Sequence, residues 1–207
     1  MSAFLIGEKA PDFTANAVMA NGDIEEFNLN DAIANKYGLL FFYPLDFTFV
    51  CPSELIALGN RHDALRNLNV QVITVSTDSP HAHRAWRNTD PNDGGIGSVP
   101  FTMVSDIDGN IVTKYGIRAV PNRCLYDAGT AMRATFITDR DGVIRSLSIN
   151  DEPIGRNIDE HMRTIEALQF FEENGEVCPA GWNKGASGMK NTAEGVASYL
   201  KANHEEL

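Results

Sequence analysis

Three cysteines, Cys51, Cys124 and Cys178, are the residues of this chain best suited to covalent chemistry. Cys51 lies in FFYPLDFTFVCPSE (Phe41–Glu54), between an apolar run and a proline. Pro52 suits the first position of a helix, where its missing N–H would be unpaired in any case. Glu54 would then stand in the first turn, where a carboxylate complements the helix dipole. A helix beginning at Pro52 puts Cys51 at the N-cap, a place where Ser, Thr, Asp or Asn would serve stability better. Free backbone N–H groups and the positive dipole end favour the thiolate there, and the thiolate is the nucleophilic form. The plainer alternative is a small buried apolar residue, a common role for cysteine. Thr48 lies three residues earlier. Its hydroxyl reaches the sulfur if the loop curls into the first turn, and is otherwise a local capping group. Pro44 either ends the strand or also shields the thiolate from water.

Other cysteine chemistries fit less well. No C-x-x-C occurs, and Cys51-Pro52-Ser53-Glu54 has serine and glutamate where a disulfide oxidoreductase needs its second thiol. His81 and His83 have no nearby cysteine, which argues against zinc. A cysteine hydrolase lacks a marked base, since His62 is expected in the same helix as Cys51. Neither metal nor cofactor is expected. The 207 residues, 43% hydrophobic and 22% charged, suit one globular domain with an extended tail. The formal net charge of -11 argues against nucleic acid and anionic lipid as partners. No apolar run approaches the roughly 20 residues of a membrane span, and MSAFLIGEKAPDF does not read as a signal peptide. The expected location is the cytoplasm, where thiols stay reduced.

The elements that must hold these residues follow from periodicity. FTANAVM, the turn ANGD and IEEFNL form an N-terminal hairpin. GLLFFY (Gly38–Tyr43) and VQVITVS (Val70–Ser76) are continuous apolar runs, as in strands buried on both faces. Leu55, Leu58, Leu65 and Leu68 fall at helical spacing after Pro52 and predict one core-facing helix. A second helix is expected from Ser79 to about Asn88, a loop over Asp90–Pro100, a strand at FTMVSD and a short helix within Ile111–Tyr115. DRDG (Asp139–Gly142) turns a second hairpin. Ile158, Met162, Ile165, Leu168 and Phe171 mark a long helix that Gly175 closes. The tail carries few large apolar residues before a helix near Thr192–Lys201. This order gives an α/β thioredoxin-like fold, a mixed sheet with helices on both faces. The N-terminal β-hairpin is an extension and the C-terminal segment an arm, with residues 1–170 as the domain and 171–207 as the arm.

Pro44-x-x-x-Thr48-x-x-Cys51, within DFTFVCPSE, resembles the active-site motif of the typical 2-Cys peroxiredoxins, a group that includes the bacterial alkyl hydroperoxide reductase C proteins. VSTDSPHAHRAW (Val75–Trp86), GGIG (Gly94–Gly97), RATFITDRDGVI and EVCPAGW (Glu176–Trp182) follow in the same order, so the resemblance runs from about Ile6 to Trp182. It implies a thiol peroxidase in which Cys51 attacks a hydroperoxide and becomes a sulfenic acid. It implies that Thr48, the Cys51 N–H and Arg133 face the displaced oxygen, and that Glu54 and Arg156 orient Arg133. It further implies that Cys178 resolves the sulfenic acid as an intersubunit disulfide, which thioredoxin or a dedicated flavoprotein then reduces. A homodimer assembling into a decamer, with Trp86, Phe47 and Phe49 in or near the contact, is the implied assembly. Core packing is the alternative for those three rings. GGIG and Ser198–Leu200 resemble a pair of motifs linked to overoxidation, although Leu200 replaces the aromatic residue usual there. Cys124, in a connection that looks longer than the family's, matches no role. A holdase on the same scaffold is the competing, non-enzymatic reading.

Overall fold

The structure is a computed structural model that describes residues 5–120, 122 and 125–205. Cys124 lies outside the described residues. The chain divides into two compact units, Met1–Ile158 and Asp159–Leu207.

The first unit is built on a mixed sheet in the order β2-β1-β5-β4-β3-β6-β7. Its strands are β1 (Thr14–Val18), β2 (Ile24–Asn28), β3 (Tyr37–Phe42), β4 (Val70–Ser76), β5 (Thr102–Ser105), β6 (Arg133–Thr138) and β7 (Ile144–Asn150). The helices are α1 (Leu29–Ala32), α2 (Cys51–Asn60), α3 (His62–Asn67), α4 (Pro80–Arg87) and α5 (Asn110–Lys114). Strands β3, β4 and β5 pair in parallel through helical crossovers. Strands β1, β2, β6 and β7 add antiparallel margins. Every residue of β3 is buried, as its unbroken apolar run requires of a central strand.

Alternation along β3 divides the core into two layers. Leu40 and Phe42 join Ile73, Val75, Val104 and Phe136 in a cluster that also takes Ile111 and Val112 of α5. Phe41 points the other way. Its ring lies under the Arg156 guanidinium, 3.4 Å from Cζ to the ring centre. Arg156 in turn binds Glu54 of α2, so α2 covers the face opposite α5.

Two local expectations are corrected. Cys51 is the first residue of α2 and Val50 is its N-cap, so the helix starts one residue earlier than the proline suggests. The long helix expected through Leu68 is broken at Arg61 into α2 and α3. Leu55, Leu58 and Leu65 are fully buried as their spacing predicts, while Leu68 has become the C-cap of α3 and is half-buried. His62 consequently belongs to α3.

The second unit begins within α6 (Ile158–Asn174). Gly175, at φ 67°, ends that helix in the left-handed region where glycine carries no steric penalty. Ile165 is buried and Phe171 exposed, so the apolar stripe is not covered along its whole length. Helix α7 (Ala193–Asn203) starts on the Thr192 side chain, which accepts the Gly195 N–H, and none of its residues is buried. No described helix is long and apolar enough to cross a membrane.

Candidate active site

Strand β3 delivers the chain into the site. Pro44 follows it and is buried, and the loop then curls back into α2. The curl puts the Thr48 hydroxyl 3.0 Å from Cys51 Sγ and 2.9 Å from the Leu45 carbonyl. A hydroxyl has one proton to donate and lone pairs to accept with. Thr48 can therefore accept from a thiol while donating to Leu45, or donate to a thiolate. Val50 offers no side-chain cap to the first turn. The sulfur itself is fully buried.

Strand β6 brings the second partner. It runs antiparallel to β3 with Phe41 opposite Thr135, so its first residue, Arg133, falls beside the end of β3 where the loop departs. Arg133 Nη1 donates to Cys51 Sγ at 3.2 Å and to Glu54 Oε2 at 3.0 Å. Its Nε donates to the Glu152 carbonyl at 2.6 Å. Burial works against the Arg133 charge, yet the hydrogen bond to Cys51 and the negative charges of Cys51 and Glu54 raise its pKa above the ordinary value.

Glu54 holds the arginines. Its Oε1 accepts from the Arg156 backbone N–H at 2.8 Å and from Nε at 2.9 Å. Its Oε2 accepts from Arg156 Nη2 and Arg133 Nη1. Arg156 Nη1 also reaches the Ala134 carbonyl and Thr135 Oγ1. Burial would raise the Glu54 pKa, but the Arg156 hydrogen bonds and charge reverse that and hold it below the usual carboxylate value. Burial also lowers the pKa of Arg156, which Glu54 opposes. Two buried guanidinium groups thus face one buried carboxylate, and the half-exposed Glu152 carboxylate lies 3.9 Å from Arg133 Nη2. Gly155 lets this segment approach α2: a Cβ there would lie 3.2 Å from Val50 Cγ1.

Sequence reasoning missed a buried strut under the loop. His83 Nδ1 lies 2.8 Å from Asp46 Oδ2, and Tyr43 donates to Asp46 Oδ1 at 2.8 Å. Asp78 accepts the Asp46 backbone N–H at 2.9 Å and the Ser76 hydroxyl at 2.7 Å. Burial and then the charge of Asp46 push the pKa values of Tyr43 and Asp78 up. Proximity in sequence to cysteine is the wrong guide to His83, whose Nδ1 faces the Asp46 carboxylate and whose Nε2 lies 3.2 Å from the Val104 carbonyl. The donor atoms of Asp46, Asp78 and His83 lie within 4.8 Å of one another, as a cation would need. Hydrogen bonds already occupy them, so in this arrangement they fasten the loop. Phe47 follows Asp46 at φ 52°, a strained conformation for a bulky residue. Its ring sits 5.8 Å from that of Trp86, yet Phe47 remains 54% exposed and Phe49 92%. Trp86 is core, one of the two roles open to it from sequence, and donates to the Gly94 carbonyl. In the GGIG turn, a Cβ on Gly95 would lie 2.0 Å from the Thr89 carbonyl oxygen, which makes glycine obligatory there.

In the second unit Cys178 is a free, half-buried thiol whose Sγ lies 3.4 Å from the Ala167 carbonyl. Burial raises its pKa above the ordinary value, against the opposing charge of Arg163. An isolated bridge between Val177 and Met189 and the contact of the Phe170 and Trp182 rings hold the stretch around it.

The model for the AhpC/TSA family matches residues 6–147, and that for the C-terminal domain of 1-Cys peroxiredoxin matches 167–202. The second match, despite its name, includes Cys178. Alkyl hydroperoxide reductase C of Buchnera aphidicola is 48% identical over 198 residues, covering 95% of this chain and 96% of the relative. The Helicobacter pylori protein of the same name is 46% identical, covering 98% and 100%. Among solved structures, reduced 2-Cys peroxiredoxin from Plasmodium vivax superposes with a TM-score of 0.89 at 43% identity, covering 96% of this chain and 99% of that one.

Proposed function

Because the chain belongs to the AhpC/TSA family and is a thiol-dependent peroxidase of the peroxiredoxin type, we propose that Cys51 is the thiol that attacks the peroxide. The observation that carries this is the convergence of the Thr48 hydroxyl and the Arg133 guanidinium on one sulfur. The Cys51 thiolate forms a bond to the nearer oxygen of ROOH as the O–O bond breaks. Sulfur is oxidised to a sulfenic acid, and the displaced RO⁻ takes a proton and leaves as ROH. Thr48, Arg133 and the Cys51 N–H stabilise the negative charge that grows on that oxygen. Pro44 keeps water from the sulfur, and Glu54 and Arg156 fix the Arg133 guanidinium.

Cys178 of a second subunit then attacks the sulfenic sulfur, forming a disulfide and releasing water. Burial of Cys51 supports a step in which the first turn of α2 opens, and an uncapped first turn opens at low cost. Thioredoxin or a flavoprotein reductase returns both thiols by exchange. Hydrogen peroxide and organic hydroperoxides are the substrates, the cytoplasm is the compartment, and the copies assemble as dimers within a decamer. The exposed Phe47 and Phe49 rings beside the loop support such assembly. Residues 1–170 act as the peroxidase domain and 171–207 as the arm that carries Cys178. In a thioredoxin-coupled assay Cys51→Ser abolishes peroxide consumption, whereas Cys178→Ser stops turnover but leaves Cys51 oxidisable once. Full activity in Cys51→Ser would defeat the proposal.

A further inference from the structure

The connection between Ile117 and β6 contributes a side chain that the reaction scheme above does not use. Tyr126 is buried, and its hydroxyl sits between two backbone groups of the β6/β7 pair. It accepts the Arg133 N–H at 2.9 Å and donates to the Asn150 carbonyl at 2.5 Å. Arg133 and Asn150 face each other in the strand register, so the hydroxyl is inserted at the last rung of that ladder. We infer that Tyr126 is a positioning residue for the Cys51 reaction, setting where the Arg133 guanidinium meets the sulfur by fixing the Arg133 backbone against Asn150.

The proposal rests on Cys51 as the peroxide-attacking thiol. Arg133 is anchored at three points: its N–H on Tyr126, its Nε on the Glu152 carbonyl and its Nη1 on Glu54. The Asn150 and Glu152 carbonyls belong to one short segment, so the hydroxyl links both ends of the arginine to it. Remove the hydroxyl, and the two backbone groups either lose a partner or close on each other and carry Arg133 away from its place. Burial first, against the opposing Arg133 N–H and charge, pushes the Tyr126 pKa up to about 12, so the hydroxyl keeps its proton at neutral pH and can donate to Asn150.

A double-mutant cycle on the rate constant for Cys51 oxidation by hydrogen peroxide tests this. Tyr126→Phe keeps the ring and removes the oxygen. It should slow oxidation on the order of tenfold, less than the roughly hundredfold or greater loss typical of a direct oxyanion donor. In an Arg133→Met background it should slow oxidation no further, because the group it positions is gone. The pH midpoint of the rate should rise in Tyr126→Phe and in Arg133→Met alike. The groups facing the sulfur are Thr48 and Arg133, with Glu54, Arg156 and Glu152 behind them, and Arg156 and Asp151 also act on Tyr126. A parent-like rate in Tyr126→Phe, additive losses in the double variant, or an unmoved pH midpoint would each overturn the inference. Cys51→Ser, run in parallel, separates this from failure of the underlying reading, since an undiminished peroxide reaction there would refute the role of Cys51 itself.

Discussion

At the scale of single residues the site is a charge problem solved by hydrogen bonds. Glu54 receives four donors from two arginines, which is close to what a carboxylate can hold. Glu54→Gln leaves buried guanidinium charge uncompensated, and should cost about 3–5 kcal/mol in denaturant unfolding. The same contact sets an acid limit. The folded carboxyl titrates below the ordinary 4.5, so its stabilisation is complete above that value and is lost as pH falls through the lowered one. Acid unfolding of the parent should therefore carry a component in that range, and Glu54→Gln should lack it. Thr48→Val keeps the shape and removes the hydroxyl beside Sγ. It should slow Cys51 oxidation on the order of a hundredfold, measured by stopped-flow with hydrogen peroxide. The spacing of Pro44, Thr48 and Cys51 was legible in the sequence because the three share one short loop. Arg133 and Arg156 were legible only through family resemblance, since nothing local marks an arginine at a strand start as buried. Tyr126 was missed because its role depends on a strand pairing.

At the scale of elements, the site exists because β3 ends where β6 begins and α2 starts in between. The periodicity of the strands and of the leucines fixed most of this order. It missed the break at Arg61 because Leu65 keeps its phase across the interruption and is still buried. The strut formed by Tyr43, Asp46, Asp78 and His83 was equally hidden. Its members are polar residues from the segments after β3 and β4 and from within α4, and no one-dimensional pattern joins them. Asp46→Asn should weaken its bond to His83 and disturb the network that also holds Tyr43 and Asp78. A stability loss of about 1–3 kcal/mol in urea is expected, with slower Cys51 oxidation because the loop loses its anchor. Unchanged stability would show that the loop is held elsewhere.

At the scale of the whole molecule, Cys51 and Cys178 lie in separate compact units and each is a free thiol. The proposed disulfide joins Cys51 of one subunit to Cys178 of another. The tail is poor in large apolar residues, and α7 buries none of its residues. The most direct test of the account is non-reducing gel electrophoresis after one equivalent of hydrogen peroxide. The parent should run as a covalent dimer that dithiothreitol dissolves. The dimer should disappear in both Cys51→Ser and Cys178→Ser and persist in Cys124→Ser. A dimer that survives Cys51→Ser, or one that depends on Cys124 instead of Cys178, would contradict the account.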